Sequence, residues 1–265
     1  RYLEILDLTG RNHDLGFLSE LNRRHVATFA FSSVGVRLGD DLPLDFASLF
    51  DRIVTRRRGG YCFEQNGLMF EILEELGFAP EMYLARVIYN QDTHPGLTHR
   101  VTLVELEGQK YLLEVGFGSM GPRVPVSMTG QETQDGTRVF RVKEPQPGEW
   151  HLQVFKDGDF FSLYRFELAR YGQADCEVGH FYSHKSPRAS FVNHLVVSRI
   201  LAREIRSLRD LDYRVMKEEG DREQTVGDAA HLHRILVDDL NIRVSENESE
   251  RLFRDLASRD AETGA

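Results

Sequence analysis

Cysteine is nearly absent. Two in 265 residues, Cys62 and Cys176, make no disulfide framework and no CxxC metal or redox motif. Such sparse cysteine fits a compartment where thiols stay reduced, so a cytoplasmic location is expected and a nucleophilic thiol would survive there. Long apolar runs are lacking too. None approaches the ~20 residues of a membrane span. Positive charge is in deficit, with 33 Lys and Arg against 42 Asp and Glu and a net charge of −9. That balance excludes non-specific binding to nucleic acid through a basic surface. Neither nucleic acid nor membrane is an expected partner. The N-terminal Arg1-Tyr2-Leu3-Glu4 does not resemble a secretory signal, and with no initiating Met a few native residues are expected upstream. Internal repeats and low-complexity tracts are missing as well. What is present is 41% hydrophobic residues, enough for a substantial core in one large domain or two to three small ones.

The first third has helical periodicity. Asp14 can cap a helix with apolar positions at Leu15, Leu18, Leu21 and Val26. Asp45 starts another that carries Phe46, Leu49, Phe50 and Ile53 on one face. A third begins near Cys62, turns Phe63, Met69, Phe70, Leu73 and Leu76 inward and ends at Gly77. From about Glu81 to about Leu168 the pattern is that of strands, expected at 83–89, 100–106, 110–115, 138–142, 151–155 and 160–166. The last third mixes strands at 195–201 and 213–217 with helices near 228–240 and 246–258. Ser245 and Glu248 stand at capping-box spacing before the last. Helices, then strands, then both predict an α+β fold with segregated layers rather than a doubly wound sheet.

Chemistry concentrates in three segments. In Gly59-Gly60-Tyr61-Cys62 the glycines allow a tight turn, and Cys62 falls on the first turn of a helix, where unpaired N–H groups favour a thiolate. Taken alone, Cys62 also reads as a small buried residue at a helix start. A thiolate nucleophile needs a base held by a third group. If Glu107-Gly108 turns one strand into the next, Leu106 pairs with Gln109 and Val101 with Glu114, which sets Glu114 diagonally across from His99 on one face. Taken alone, His99 is an ordinary strand residue. Glu114, between Leu113 and Val115, needs a partner in any apolar run. The third segment, Gly116-Phe117-Gly118-Ser119, is either a plain loop or a source of backbone N–H groups for phosphates or an oxyanion.

Together these segments resemble the arylamine N-acetyltransferase family, whose signatures are R-R-x-G-G-x-C-F-E-x-N, T-H-x-x-L and a strand ending D-V-G-F-G. Here they stand as residues 57–66, Thr98-His99-Arg100-Val101-Thr102 and Glu114-Val115-Gly116-Phe117-Gly118. The resemblance extends from about His25 to Arg199. It implies a helical bundle over 1–84, an antiparallel β-barrel over 85–189 and an α/β lid over 190–265. It also implies ping-pong acetyl transfer through Cys62, His99 and the acid at 114. Acetyl-CoA would be the donor, and an arylamine, hydrazine or arylhydroxylamine the acceptor. CoA contacts are implied at Thr98, Gly116, Phe117, Gly118 and Ser119. No metal or bound cofactor is implied, and a monomer or homodimer is expected.

Two positions depart from the family pattern. Glu114 stands for the usual Asp; it keeps the charge but adds a methylene. Ser32 and Ser33 replace a Glu and an Asn, so Arg58 is expected to pair elsewhere or stay in water. Arg56, Arg57 and Arg58 either attract the CoA phosphates or serve the fold. Phe191 resembles an aromatic of the substrate pocket and reads equally as core. The pairs His180/His184 and His231/His233 have spacings a metal could use, yet solvated or capping roles are the expectation, and Cys176 reads as structural. The competing functions are an amide synthase that releases a carrier-bound acyl chain, an acyl-CoA hydrolase, and a binding protein without catalysis.

Overall fold

The computed structural model describes residues 1–10 and 12–263. A short α1 (Tyr2–Ile5) packs on α2 (Leu15–Thr28), whose N-terminus is held by Asp14 accepting the Phe17 N–H at 2.7 Å. Leu18, Leu21 and Val26 are buried as the periodicity predicts, whereas Leu15 is exposed and Phe17 enters the core from that first turn. A two-residue strand, β1 (Phe31–Ser32), and the five-residue α3 (Val34–Leu38) follow, both too short to leave a periodic signal. Asp45 caps α4 (Phe46–Leu49), which runs on as a π-helical turn over Phe50–Thr55. The helix α5 (Cys62–Glu75) stops where Gly77 takes φ +86° and the Phe78 N–H reaches back to Leu73 O.

Eight strands then form one antiparallel sheet: β2 (Pro80–Val87), β3 (His99–Leu106), β4 (Gln109–Leu113), β5 (Val126–Ser127), β6 (Thr133–Asp135), β7 (Arg138–Gln146), β8 (Glu149–Lys156) and β9 (Asp159–Glu167). Their order is β5-β4-β3-β2-β9-β8-β7-β6. β5 also contacts β7, and Val126 packs with Phe140 and Val142, so the sheet curls most of the way into a barrel. The expected register holds. Glu107 and Gly108 both take positive φ, and the hairpin pairs Leu106 with Gln109 and Thr102 with Leu113, which leaves Glu114 just past the strand.

The helix α6 (Gln173–Lys185) was not legible because its inward positions are Cys176, Gly179, His180 and Ser183, an almost polar face. His180 corrects the sequence expectation. It is buried, stacks on Tyr61 and donates from Nε2 to Leu42 O at 2.7 Å, which leaves Nδ1 to accept the Tyr61 hydroxyl at 2.6 Å. After α7 (Ser190–Asn193), a second sheet runs β1-β10-β11-β12-β13, with β10 (Val196–Ile200), β11 (Glu204–Arg209), β12 (Asp212–Lys217) and β13 (Arg222–Thr225). Its core of Leu195, Val197, Leu208 and Tyr213 is shared with α8 (Ala229–Arg234) and α9 (Glu246–Thr263). Among the described residues, no helix is long and apolar enough to cross a membrane.

Candidate active site

The chain reaches Cys62 through a turn that only glycine fits. Gly59 has φ +67°, and a Cβ there would lie 2.6 Å from both Ala30 O and Ser32 Cβ. Gly60 O accepts the Ser32 N–H at 2.9 Å, which ties the turn to β1. Tyr61 then caps α5 through its own N–H, which donates to Glu64 Oε2 at 3.1 Å. Glu64 is in turn held by the buried Arg52. Cys62 thus occupies the first helical position, where the backbone N–H has no intrahelical acceptor. Its thiol is buried and lies 3.4 Å from Thr98 O.

His99 opens β3 beside it. Nε2 donates to Glu114 Oε2 at 2.7 Å, so Nδ1 is the ring nitrogen left for the Cys62 sulfur. The longer acid is fully accommodated. Oε1 accepts from Asn66 Nδ2 at 2.9 Å and from the Gly116 N–H at 2.7 Å, and Oε2 also accepts from the Tyr164 hydroxyl at 2.8 Å. Four donors therefore hold a carboxylate that is only 1% exposed, which is how a buried charge is made tolerable. Burial would raise the Glu114 pKa, but the His99 charge and the His99, Asn66 and Gly116 hydrogen bonds hold it below the usual carboxylate range. Burial would lower the His99 pKa, yet the Glu114 charge and hydrogen bonds with Cys62 and Glu114 push it up to about 10. The Glu114 carboxylate thus favours the charged form of the His99 ring that faces the Cys62 sulfur.

A raised His99 pKa has a signed consequence for stability. The protonated ring strengthens the folded state in full below its ordinary value of 6.5, and that contribution fades as pH rises through about 10. Thermal unfolding from pH 6.5 to 10 is expected to show a decline in Tm that is much shallower in His99→Gln. Parallel declines would contradict it.

Two partners of the carboxylate were not singled out from sequence. Asn66 lies one helical turn beyond Cys62, on the same face, and its Oδ1 also accepts the Val115 N–H at 3.0 Å, so the i, i+4 spacing was an available signal. Tyr164 comes from β9, which the β2–β9 pairing of Val87 with Tyr164 brings over the site, and no local pattern predicts that. Burial and the Glu114 charge raise the pKa of its phenol, so it stays a donor. Tyr164→Phe is expected to lower kcat/KM roughly ten-fold, as for loss of one hydrogen bond to a charged group. The acidic limb of the pH–rate profile should also move to higher pH as Glu114 becomes easier to protonate. An unmoved limb would assign Tyr164 to packing alone.

Cys62 and His99 open onto a cavity of about 400 Å³. Thr98, Gly116, Phe117, Gly118, Ser119 and Phe191, all singled out from sequence, line it too. Gly116 lets the loop pass Cys62 closely, since a Cβ there would be 2.8 Å from Cys62 Cα. Phe191 packs edge-on against Phe31, with ring centroids 5.7 Å apart. The three arginines before the glycines are not among the lining residues. Arg56 pairs with Asp51 at 2.7 Å, Arg57 lies over the Phe29 ring, and Arg58 makes a two-pronged contact with Glu248 at 2.8 and 3.0 Å plus a bond to Asp40 at 3.3 Å. The last helix thus supplies the partner for Arg58. Ser33 does different work: its hydroxyl donates to His194 O and accepts from the Val196 N–H, joining β1 to β10. Cys176 is buried, its sulfur 3.5 Å from that of Met82. Among the described residues, no group of three His, Cys, Asp or Glu side chains is placed to hold a metal.

A family model described as N-acetyltransferase matches residues 14–249. The arylamine N-acetyltransferase of Escherichia coli is 37% identical over 188 residues, which are 69% of this chain and 66% of that protein, just under two thirds of its length. The arylamine N-acetyltransferase of Mycobacterium bovis is 31% identical over 241 residues, 88% of this chain and 84% of its own. Among solved structures, the arylamine N-acetyltransferase of Mycobacterium marinum in complex with CoA superposes with a TM-score of 0.89 at 27% identity, over 96% of this chain and 97% of that one.

Proposed function

The chain belongs to the arylamine N-acetyltransferase family, and from that premise we propose that it moves an acetyl group from acetyl-CoA to an arylamine, hydrazine or arylhydroxylamine by a ping-pong route through Cys62. The observation that carries this reading is His99, held at 2.7 Å by a buried carboxylate and turned with its other nitrogen toward a thiol on the same cavity. The Cys62 proton passes to His99 Nδ1, and the thiolate attacks the acetyl carbonyl. The carbonyl–sulfur bond to CoA then breaks, and CoA leaves as its thiol with the proton from His99. The acceptor nitrogen attacks the acetyl-Cys62 thioester, gives its proton to His99, and the Cys62 thiolate departs. Splitting the transfer in this way replaces one difficult step with two easier ones. The unpaired Cys62 N–H is a candidate donor to the oxyanion in both halves.

Rapid mixing with acetyl-CoA tests this. Without acceptor, about one equivalent of CoA thiol per protein should appear in a burst and then nearly stop; an arylamine should restore turnover. CoA release that is equally fast without an acceptor would replace the transferase reading with hydrolysis.

A further inference from the structure

The catalytic trio leaves the charge of the cavity unexplained. Arg188, in the loop between α6 and α7, and Arg209, the last residue of β11, both line the cavity that holds Cys62. No Asp or Glu is among the lining residues, and neither guanidinium has a carboxylate partner among the described residues. Asp210, next in sequence to Arg209, is committed elsewhere: it accepts from His194 Nδ1 at 2.7 Å and from the Leu195 N–H at 2.9 Å. Ser207 and Arg209 lie two apart on β11 and both line the cavity, so strand alternation itself aims Arg209 at the opening. In a chain of net charge −9, two guanidinium groups on the lining of a reactive cavity, neither within ion-pair distance of a carboxylate among the described residues even though Asp212 is the cross-strand neighbour of Arg209, give that mouth a local attraction for anions.

We propose that Arg188 and Arg209 form an anion-binding rim that holds a phosphate or carboxylate on the ligand whose other end reaches Cys62. The assignment rests on the acetyl-transfer reading of this cavity and adds the charge class of its ligands. A guanidinium presents a planar fork that matches either group with two hydrogen bonds. In a ping-pong route, donor and acceptor use the cavity in turn, so the anion is either a phosphate of CoA in the first half-reaction or a carboxylate on the acceptor in the second. Both arginines are exposed, so their pull on a ligand is screened by salt.

The test is the double variant R188Q/R209Q, compared with wild type in separate half-reactions. Acylation is measured with acetyl-CoA and with 4-nitrophenyl acetate, which has neither phosphate nor carboxylate. Deacylation is measured with 4-aminobenzoate and with 4-methylaniline. If the rim holds the donor, acylation by acetyl-CoA falls at least about ten-fold more than acylation by 4-nitrophenyl acetate, through KM, and its salt sensitivity is lost. If the rim holds the acceptor, the same disproportion appears for 4-aminobenzoate over 4-methylaniline. Either pattern upholds the rim and names its source. Equal losses with all four compounds, or none, overturn it. Should wild type accept acetyl from neither donor, the transferase reading fails separately. Calorimetric titration with CoA and with 4-aminobenzoate then decides the rim, since binding no weaker in the double variant overturns it.

Discussion

Glu114→Gln is expected to slow acylation of Cys62 by acetyl-CoA about ten-thousand-fold, the loss seen when the buried acid of a catalytic triad becomes an amide. The hydrogen-bond inventory sets the outcome. Oε1 faces two N–H donors, Asn66 Nδ2 and Gly116 N, so the oxygen of a Gln at 114 stays on that side. Its NH2 group then faces His99 and the Tyr164 hydroxyl, which can accept. His99 must turn its lone pair to Nε2 and carry its proton on Nδ1, toward the sulfur. The ring can no longer take the Cys62 proton, and the carboxylate that held the imidazolium is gone. Glu114→Asp should cost less, because the charge survives, but the shorter arm cannot serve both the Asn66–Gly116 side and the His99–Tyr164 side. Single-turnover acylation measures both variants. A loss under about ten-fold in Glu114→Gln would remove the acid from the mechanism.

Gly59→Ala is expected to destabilise the fold by about 3 kcal/mol, the sum of a left-handed backbone penalty and overpacking. For a chain of this size that corresponds to a fall in Tm of roughly 6–12 °C. The new methyl would meet Ala30 O and Ser32 Cβ at 2.6 Å and Ile242 Cδ1 at 2.8 Å, so β1 and the segment before α9 must both shift away from the turn that leads to Cys62. Activity of the surviving folded fraction should fall too. Gly108→Ala is the control: its φ is also positive, at +77°, but a Cβ there meets nothing within 4 Å. It should cost about 1 kcal/mol, the backbone term alone. Equal losses of Tm for the two variants would show that crowding at the Gly59 turn contributes nothing.

Local signals made half of the site readable in advance. Two residues with positive φ fix the β3–β4 hairpin, and once the turn is known, alternation sets His99 and Glu114 face to face. Cys62 was marked by the glycines before it and the helix after it. The parts that escaped depend on distant pairing. Tyr164 reaches Glu114 across 50 residues, and Glu248 reaches Arg58 across 190, so no window of sequence contains either pair. Strand β11, Glu-Ile-Arg-Ser-Leu-Arg, has two apolar residues three apart, which does not match strand alternation. Nor did α6 declare itself, since the face it buries is made of cysteine, glycine, histidine and serine.

Intact mass after mixing with acetyl-CoA tests the account most directly, with wild type and Cys62→Ala side by side. One acetyl group should appear on the wild type alone and should vanish when an arylamine is added. Acetylation of both proteins, or CoA release from the wild type with no covalent intermediate at any time, would contradict a route through Cys62.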